Sequence, residues 1–271
     1  MPAPIAVIAG AGRFPAHVAR GARRRGIAVI GLGIKGWVDP SLAQDVDTFE
    51  LLDVGDLGRL VERLKAHGVR QAVMAGKVTK EILLDGRAAF DRDMQQVLRG
   101  AGNASVGALL GAIGERLAAE GVTLLDSSTF VADDLCPAGV LTRAPSKAEE
   151  QDVALGLRIA RALAAFDVGQ TVVVKQQVIV AVEALEGTDA AIRRAHALAG
   201  EGLVVVKVAA PQQDRRFDLP VVGSDTLAAM REMGAMCLAL EAGTAVILDR
   251  PEFLRSARDA GIAVLGVSGA A

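Results

Sequence analysis

The sequence predicts an α/β protein with two domains: an N-terminal parallel-sheet domain and a distinct C-terminal α/β domain with a mixed sheet. Three observations carry this. Short apolar runs alternate with amphipathic stretches through the first half, the pattern of a parallel sheet with helices on both faces. A break rich in Pro and Gly then interrupts the alternation, from Asp133-Asp134-Leu135-Cys136-Pro137-Ala138-Gly139 to Ala144-Pro145-Ser146, and marks a domain boundary. Beyond it, two β-branched runs are separated only by Lys175-Gln176-Gln177, which reads as an antiparallel hairpin. The expected division is a parallel-sheet domain over 1–135, a linker over 136–146, and a domain over 147–271 that carries a carboxylate cluster.

Each element has a local reason. Residues 4–9 are an unbroken apolar strand, and Gly10-Ala11-Gly12 turns the chain into a helix over 14–25. Residues 27–32 and 48–52 form further strands. Asp56 is placed to cap a helix whose Leu57, Leu60, Val61 and Leu64 make one apolar stripe. Gly68 ends that helix, and 71–75 is a fourth strand. Helices over 92–98 and 107–119 lead to a strand at 122–125. In the second half, Ser146 with Glu149 three residues on makes a capping box for a helix to about residue 163. The hairpin strands are 171–174 and 178–182. A helix to about 198, a strand at 203–208 and further alternation to 262–267 complete the chain.

Composition narrows the function classes. The chain has 271 residues, large enough to fold without disulfide or metal staples. Hydrophobic residues are 51% and charged residues 23%, and mean hydropathy is +0.35, so a packed interior is expected. A net charge of -2 offers no field for nucleic acid. Aromatics at 3%, with no Tyr, offer no base-stacking platform. Cys136 and Cys237 lie far apart with no metal spacing and read as buried hydrophobes in a reducing compartment. Met1-Pro2-Ala3-Pro4 has no signal-peptide pattern and no apolar stretch is long enough to span a bilayer. A cytoplasmic protein is the expectation.

Gly10-Ala11-Gly12-Arg13-Phe14-Pro15 follows strand one and opens a helix, a setting in which backbone N–H groups favour an anion. It is a poor dinucleotide fingerprint: Pro15 stands at the sixth position, and strand two ends in Gly31-Leu32-Gly33 without a ribose-binding acid. The same residues serve equally as a tight strand-to-helix turn. Lys77, in Ala75-Gly76-Lys77-Val78-Thr79, is not in a P-loop, but it ends a parallel strand, the edge where ligands collect in open sheets. A solvated surface lysine is the plain alternative. His17, His67 and His196 have no neighbouring histidine and receive no role.

The densest polar cluster runs from Glu183 to Asp225. Glu183 shares a strand face with Ile179 and Ala181, where a carboxylate is costly unless a cation meets it. Glu186-Gly187-Thr188-Asp189 then opens a helix, with Thr188 expected as its N-cap and its free amides favouring an anion. Arg193 and Arg194, a turn later, could hold a phosphate; an Asp189–Arg193 surface pair is the alternative. Lys207 ends the Val204-Val205-Val206 strand, and Val221-Val222-Gly223-Ser224-Asp225-Thr226 opens another helix. Acids and bases gathered at strand ends and helix starts suit a metal-assisted phosphoryl site, with oxygen ligands that select Mg²⁺ or Mn²⁺.

These motifs together resemble the LpxI-type UDP-2,3-diacylglucosamine pyrophosphatases of lipid A biosynthesis. The resemblance rests on Ile8-Ala9-Gly10-Ala11-Gly12-Arg13-Phe14-Pro15, Gly76-Lys77-Val78, Asp167-Val168-Gly169-Gln170, the run from Val182 to Asp189, and Ile192-Arg193-Arg194. Arg216-Phe217-Asp218-Leu219-Pro220 and Gly223-Ser224-Asp225-Thr226 extend it, so it covers essentially the whole chain. One departure is visible: related sequences carry an acidic pair before the Leu109-Leu110 helix, where this chain has Asn103-Ala104-Ser105-Val106, and that segment receives no ligand role.

The resemblance implies a reaction: divalent-metal-dependent hydrolysis of UDP-2,3-diacylglucosamine by water attack on the α-phosphorus, giving UMP and 2,3-diacylglucosamine 1-phosphate. It implies a Rossmann-like N-terminal domain, a distinct C-terminal α/β domain and substrate held between them, with Mg²⁺ (or Mn²⁺) as cofactor. Asp225 is then the expected catalytic residue and a metal ligand, with Glu183 and Asp189 as co-ligands. Arg193, Arg194 and Lys207 balance diphosphate charge. Gly187 and Thr188 contact the substrate, Gln170 its head group, and Gly10, Gly12 and Lys77 the nucleotide or phosphate. Each buried acyl methylene contributes about 0.8 kcal/mol, so the tails govern affinity and the carboxylates govern rate. The substrate leaves room for transient contact with the inner leaflet, and a homodimer stays open. A non-catalytic saccharolipid carrier or sensor and a nucleotide-dependent oxidoreductase remain the rival readings.

Overall fold

A computed structural model of the chain describes residues 3–78, 89–101, 106–210, 214–217 and 219–268. Thr79, the 103–105 segment and Asp218, quoted above, lie outside the described residues. The chain divides into two compact units. One comprises Met1–Ala132 with Asp214–Asp218, the other Asp133–Gln213 with Leu219–Ala271.

In the first unit the described elements are β1 (Ile5–Ala9), α1 (Phe14–Arg24), β2 (Val29–Ile34), a 3₁₀ turn (Pro40–Gln44), β3 (Thr48–Leu52) and α2 (Leu57–Ala66). They continue with β4 (Gln71–Ala75), α3 (Arg92–Ala101), α4 (Val106–Ala119) and β5 (Thr123–Leu124). The strands lie in the order β3-β2-β1-β4-β5 and every pairing is parallel. This is the doubly wound order of a Rossmann half, and its direction reverses between β1 and β4, the place where such sheets bind ligands. Ile8, Ile30 and Leu32 from the strands and Leu57, Leu60, Val61 and Leu64 from α2 share one core.

Asp56 precedes α2 as expected, but its side chain makes no cap bond. The amide of Gly58 donates instead to Asp91 Oδ2 at 2.6 Å, while Asp91 Oδ1 accepts from Met94 N at 2.7 Å. One carboxylate thus satisfies the starts of both α2 and α3, a partner that local sequence could not name.

In the second unit the described elements are β6 (Gly139–Val140), α5 (Lys147–Ala165), β7 (Thr171–Lys175), β8 (Val178–Val182), α6 (Thr188–Ala199) and β9 (Leu203–Lys207). Then come β10 (Val221–Val222), α7 (Ser224–Glu232), β11 (Ala235–Glu241), β12 (Val246–Ile247), α8 (Arg250–Asp259) and β13 (Ala263–Val267). Six strands form a mixed sheet in the order β6-β13-β11-β9-β7-β8; β9, β11 and β13 run parallel, while β6, β7 and β8 pair antiparallel. β10 and β12 make a separate parallel pair. Residues 136–146, expected as a linker, supply β6, and Leu141 N donates to Val264 O at 2.8 Å.

Alternation splits the strands of this sheet between two cores. Val173, Val205, Leu238 and Val264 face Ile192, Leu227, Met230 and Phe253 from α6, α7 and α8. Val172, Val174, Val204, Val206 and Ala239 face Val153, Ala160 and Ala164 of α5. The capping box at Ser146 and Glu149 forms as the spacing requires. The hairpin turn uses two non-glycine residues at positive φ, Gln176 (49°) and Gln177 (61°). Buried Asp152 of α5 accepts both of their amides, at 2.9 and 2.5 Å, and so offsets their backbone strain. Cys136 and Cys237 are buried and free, and burial pushes their thiols up to about 11 and about 12.

The segment at Asp214–Asp218 comes late in the chain yet belongs to the first unit. Ser127 N donates to Arg215 O at 2.9 Å, Arg215 Nε meets Asp126 Oδ2 at 2.7 Å, and Phe217 packs against the core below α4.

Candidate functional site

At the reversal point of the first sheet, the ends of β1 and β4 approach each other closely. Gly10 N donates to Ala75 O at 2.8 Å; Ala11 N donates to Lys77 O at 2.8 Å and Lys77 N returns a bond to Ala11 O at 3.0 Å. A Cβ on Gly10 would lie 2.7 Å from Lys77 O, and one on Gly76 would lie 2.7 Å from Ala11 O. The two glycines therefore make the crossing sterically possible, and the amides of Gly10 and Ala11 are committed to it. Gly12 (φ 89°) and the Lys77 side chain are exposed at this edge. A cleft of about 270 Å³ opens beside Gly12, with Arg13, Arg20, Asp39 and Ser41 in its lining. The residue following β2 is Lys35, which pairs with Asp53 at 2.8 Å.

In the second unit, the C-terminal ends of β8 and β9 and the start of antiparallel β7 share one edge. Glu183 (9% exposed) and Lys207 (6% exposed) are buried there, with Nζ 3.9 Å from Oε2. Lys207 Nζ donates to Thr188 Oγ1 at 2.7 Å and lies 3.4 Å from Thr171 Oγ1. The Thr188 hydroxyl in turn donates to Glu183 Oε1 at 3.0 Å, and Gln170 N donates to Glu183 Oε2 at 3.4 Å. Burial pushes the Glu183 carboxyl up, but the Lys207 charge, the two threonine hydroxyls and the Gln170 amide outweigh it and hold it below the usual range. The cation that the strand pattern demanded for Glu183 is thus Lys207.

Gly169 lets this edge close: a Cβ there would lie 2.0 Å from Glu183 O. Gln170 also accepts from Val208 N at 3.0 Å, so its backbone joins β7 to the end of β9.

Thr188 is not the N-cap of α6. Gly187 (φ 85°) takes that position, and Thr188 becomes the first helical residue, its hydroxyl drawn down to the buried pair. Asp189 is half-buried and accepts from Thr226 Oγ1 at 2.9 Å, which joins the first turn of α6 to the first turn of α7. The Asp189–Arg193 surface pair does not form: Arg193 lies 3.8 Å from Glu232, and Arg194 donates to Glu186 and to Val182 O. Asp225 is exposed in the first turn of α7, 3.3 Å from Ser224 Oγ.

The acids differ in their fitness for a divalent cation. The Glu183 oxygens accept from Thr188 and Gln170 and face an ammonium, so its surroundings suit an internal ion pair and not a ligand to a second cation. Asp189 has one oxygen engaged, and Asp225 meets only Ser224 among the described residues. Among the described residues no group of three His, Cys, Asp or Glu side chains is arranged to hold a metal. One or two carboxylates completed by phosphate oxygens is a common mode for Mg²⁺; among the described residues, Asp189 and Asp225 are the acids of this cluster that face no protein cation.

Two residues of this site carried no assigned role in the sequence. Thr171 pairs with Lys207 only through the β7–β9 register, which is long-range. Thr226 stood inside a quoted motif, but its partner lies 37 residues away.

The fold and this edge define a two-unit α/β protein: a Rossmann half joined to a mixed-sheet half whose acids and bases collect at strand ends and helix starts. Residues 4–134 match the LpxI N-terminal domain and residues 137–265 the LpxI C-terminal domain; the chain belongs to the LpxI family. It is 29% identical, over 97% of both chains, to UDP-2,3-diacylglucosamine pyrophosphatase LpxI of Caulobacter vibrioides. Solved structures with some likeness include the UDP-glucose-4-epimerase of Stenotrophomonas maltophila with NAD and a UDP-sugar. It is 21% identical over 44% of this chain and 34% of that one, with a TM-score of 0.29. CobK precorrin-6A reductase is 15% identical over 99% of this chain and 88% of that one, with a TM-score of 0.32. At those TM-scores neither likeness bears on function. No described helix is long and apolar enough to cross a membrane.

Proposed function

We propose that this chain hydrolyses the pyrophosphate bond of UDP-2,3-diacylglucosamine in lipid A biosynthesis. Water attacks the α-phosphorus, its oxygen enters UMP, and 2,3-diacylglucosamine 1-phosphate leaves with the bridging oxygen. The observation that carries this is the match of both halves of the chain to the two LpxI domains, supported by the relative of that activity.

Asp225 is the residue we assign to the reacting centre. It stands exposed at a helix start, where a carboxylate can accept a proton from water. Asp189 and Asp225 would hold Mg²⁺ or Mn²⁺ together with the diphosphate. A bound cation supplies charge neutralisation on the phosphoryl oxygens. Gly187 and Thr188 present the start of α6 to an anionic group. Arg193 and Arg194 are both exposed; Arg193 is held only in a surface pair, Arg194 by Glu186 and the Val182 carbonyl, and both would turn toward the diphosphate. Lys207 and Glu183 act from below, fixing Thr188; Gln170 completes that floor. In the first unit, Gly12 and Lys77 are the residues we assign to a nucleotide or phosphate contact, and Gly10 shapes the turn that carries them.

The test is ³¹P detection of products from UDP-2,3-diacylglucosamine in ¹⁸O-water, with Mg²⁺ and after EDTA. UMP carrying the heavy oxygen, formed only with metal, is the expected result. Binding without turnover would favour a carrier, and label in the lipid phosphate would move the attack to the other phosphorus. Asp225→Ala is expected to keep its fold and lose at least about two decades of turnover.

A further inference from the structure

Two successive residues at the start of α6 are held from two directions. Thr188 is held from beneath by Lys207 Nζ at 2.7 Å, and Asp189 is held from the side by Thr226 Oγ1 at 2.9 Å. Thr226 is itself buried, at 7% exposure, and sits one residue after the exposed Asp225. A threonine has few χ1 options in a helix, and here its hydroxyl leaves its own backbone to reach a carboxylate on a different helix. The bond takes one oxygen of Asp189; among the described residues the other has no side-chain or backbone donor.

We propose that Thr226 is a positioning residue for the reaction: by donating to Asp189 it locks the first turn of α6 to the first turn of α7, and so fixes the Asp189 carboxylate relative to the helix start that carries Asp225. The proposal rests on the functional reading above. Thr226 touches neither substrate nor metal. It removes the rotational freedom of Asp189, orients the remaining lone pairs outward, and keeps the two helix starts from sliding past each other. Partners of this kind, one bond behind a ligand, commonly matter about 10–100-fold in metal affinity or rate.

Thr226→Val keeps the shape of the side chain and removes only the hydroxyl. The fold is expected to survive, with Tm within about 3 °C of the parent, because half-buried Asp189 regains a water. Binding of Mn²⁺ in the presence of UMP, followed by loss of the free Mn²⁺ electron paramagnetic resonance signal, is expected to weaken by roughly tenfold. The kcat for UMP release should fall by a similar factor, about tenfold, with KM changed by less than about twofold. Thr226→Ser should restore both, since it returns the hydroxyl. In an Asp189→Ala background, Thr226→Val should add nothing. Parental Mn²⁺ binding in Thr226→Val, failure of Thr226→Ser to rescue, or an equal loss in the Asp189→Ala background would overturn the proposal. Absence of UMP release from the parent chain would instead overturn the functional reading, and the Mn²⁺ measurement would still judge the clamp.

Discussion

Replacing Lys207 by Met removes one member of a buried ion pair and leaves the other in place. At 3.9 Å the Coulomb attraction between Lys207 and Glu183 is about 4 kcal/mol at an effective dielectric of about 20. Thr188 and Gln170 can still donate to Glu183, so part of the carboxylate's stabilisation survives. Breaking a buried pair from one side typically costs about 3–5 kcal/mol, and a loss of about 3 kcal/mol near pH 7.5 is expected here. Lys207→Met with Glu183→Gln removes both charges at similar volume and should cost no more than about 1–2 kcal/mol.

The sign of the pH dependence separates this account from simple loss of packing. In the parent, Glu183 is held below its ordinary value of 4.5, so its contribution is complete above that value and is lost as pH falls below it. In Lys207→Met, burial without the cation pushes the carboxyl up; the native state then binds more protons than the unfolded one, and stability rises on acidification. The gap between parent and variant should therefore narrow between pH 7.5 and 5. Urea unfolding followed by circular dichroism measures it; the chain's one tryptophan, Trp37, lies in the first unit. A loss that is the same at both pH values, or a double variant as unstable as the single one, would refute the compensated-pair argument.

Three further outcomes follow from the geometry. Asp152→Ala strips both acceptors from the Gln176 and Gln177 amides and should cost about 2–4 kcal/mol by urea unfolding. Phe217→Ala should destabilise the first unit by about 2–3 kcal/mol and lower the Trp37 fluorescence transition, although residue 217 lies within the C-terminal half of the sequence; an unchanged Trp37 midpoint would contradict the placement of this segment. Glu50 is bonded by Arg63 and His67, which hold its carboxyl down at about 2. Its contribution is complete above 4.5 and is lost as pH falls toward 2. Glu50→Gln should flatten that acid limb of the Trp37-monitored stability curve.

Where the sequence is legible, the signal is local. The strand at 48–52 and the strand at 71–75 appear at those limits because an apolar run bounded by polar or glycine residues needs no partner to be recognised. The capping box at Ser146 and Glu149 spans three residues and forms as spaced. The hairpin at 171–182 follows from two β-branched runs joined by Lys175-Gln176-Gln177; β7 takes Lys175 as well, and the remaining non-glycine turn depends on Asp152, 24 residues earlier. Illegibility begins where one side chain chooses among distant partners. Asp56 had the right spacing to cap α2, but Asp91, 33 residues beyond Gly58, does so. Thr188 had the right identity for an N-cap, but two buried charges compete for the same hydroxyl.

That competition is the physical content of the candidate site. A strand-face carboxylate at Glu183 was readable as a demand for a cation, and the register of β7 against β9 supplies it by setting Thr171 opposite Lys207. Once Glu183 and Lys207 neutralise each other, neither is available to a diphosphate without exposing the other; of the remaining charges of the cluster, Asp225, Arg193 and Arg194 are exposed and Asp189 is half-buried. The sequence shows all six as one polar cluster; burial divides them into a floor and the face to which we assign the reaction. Charge-neutral replacement of the floor, Lys207→Met with Glu183→Gln, should accordingly lower rate only as far as it frees Thr188, whereas Asp225→Ala should lose at least about two decades of turnover with the floor intact. Comparing UMP release by the two at equal folded fraction tests that division, and equal losses of turnover would erase it.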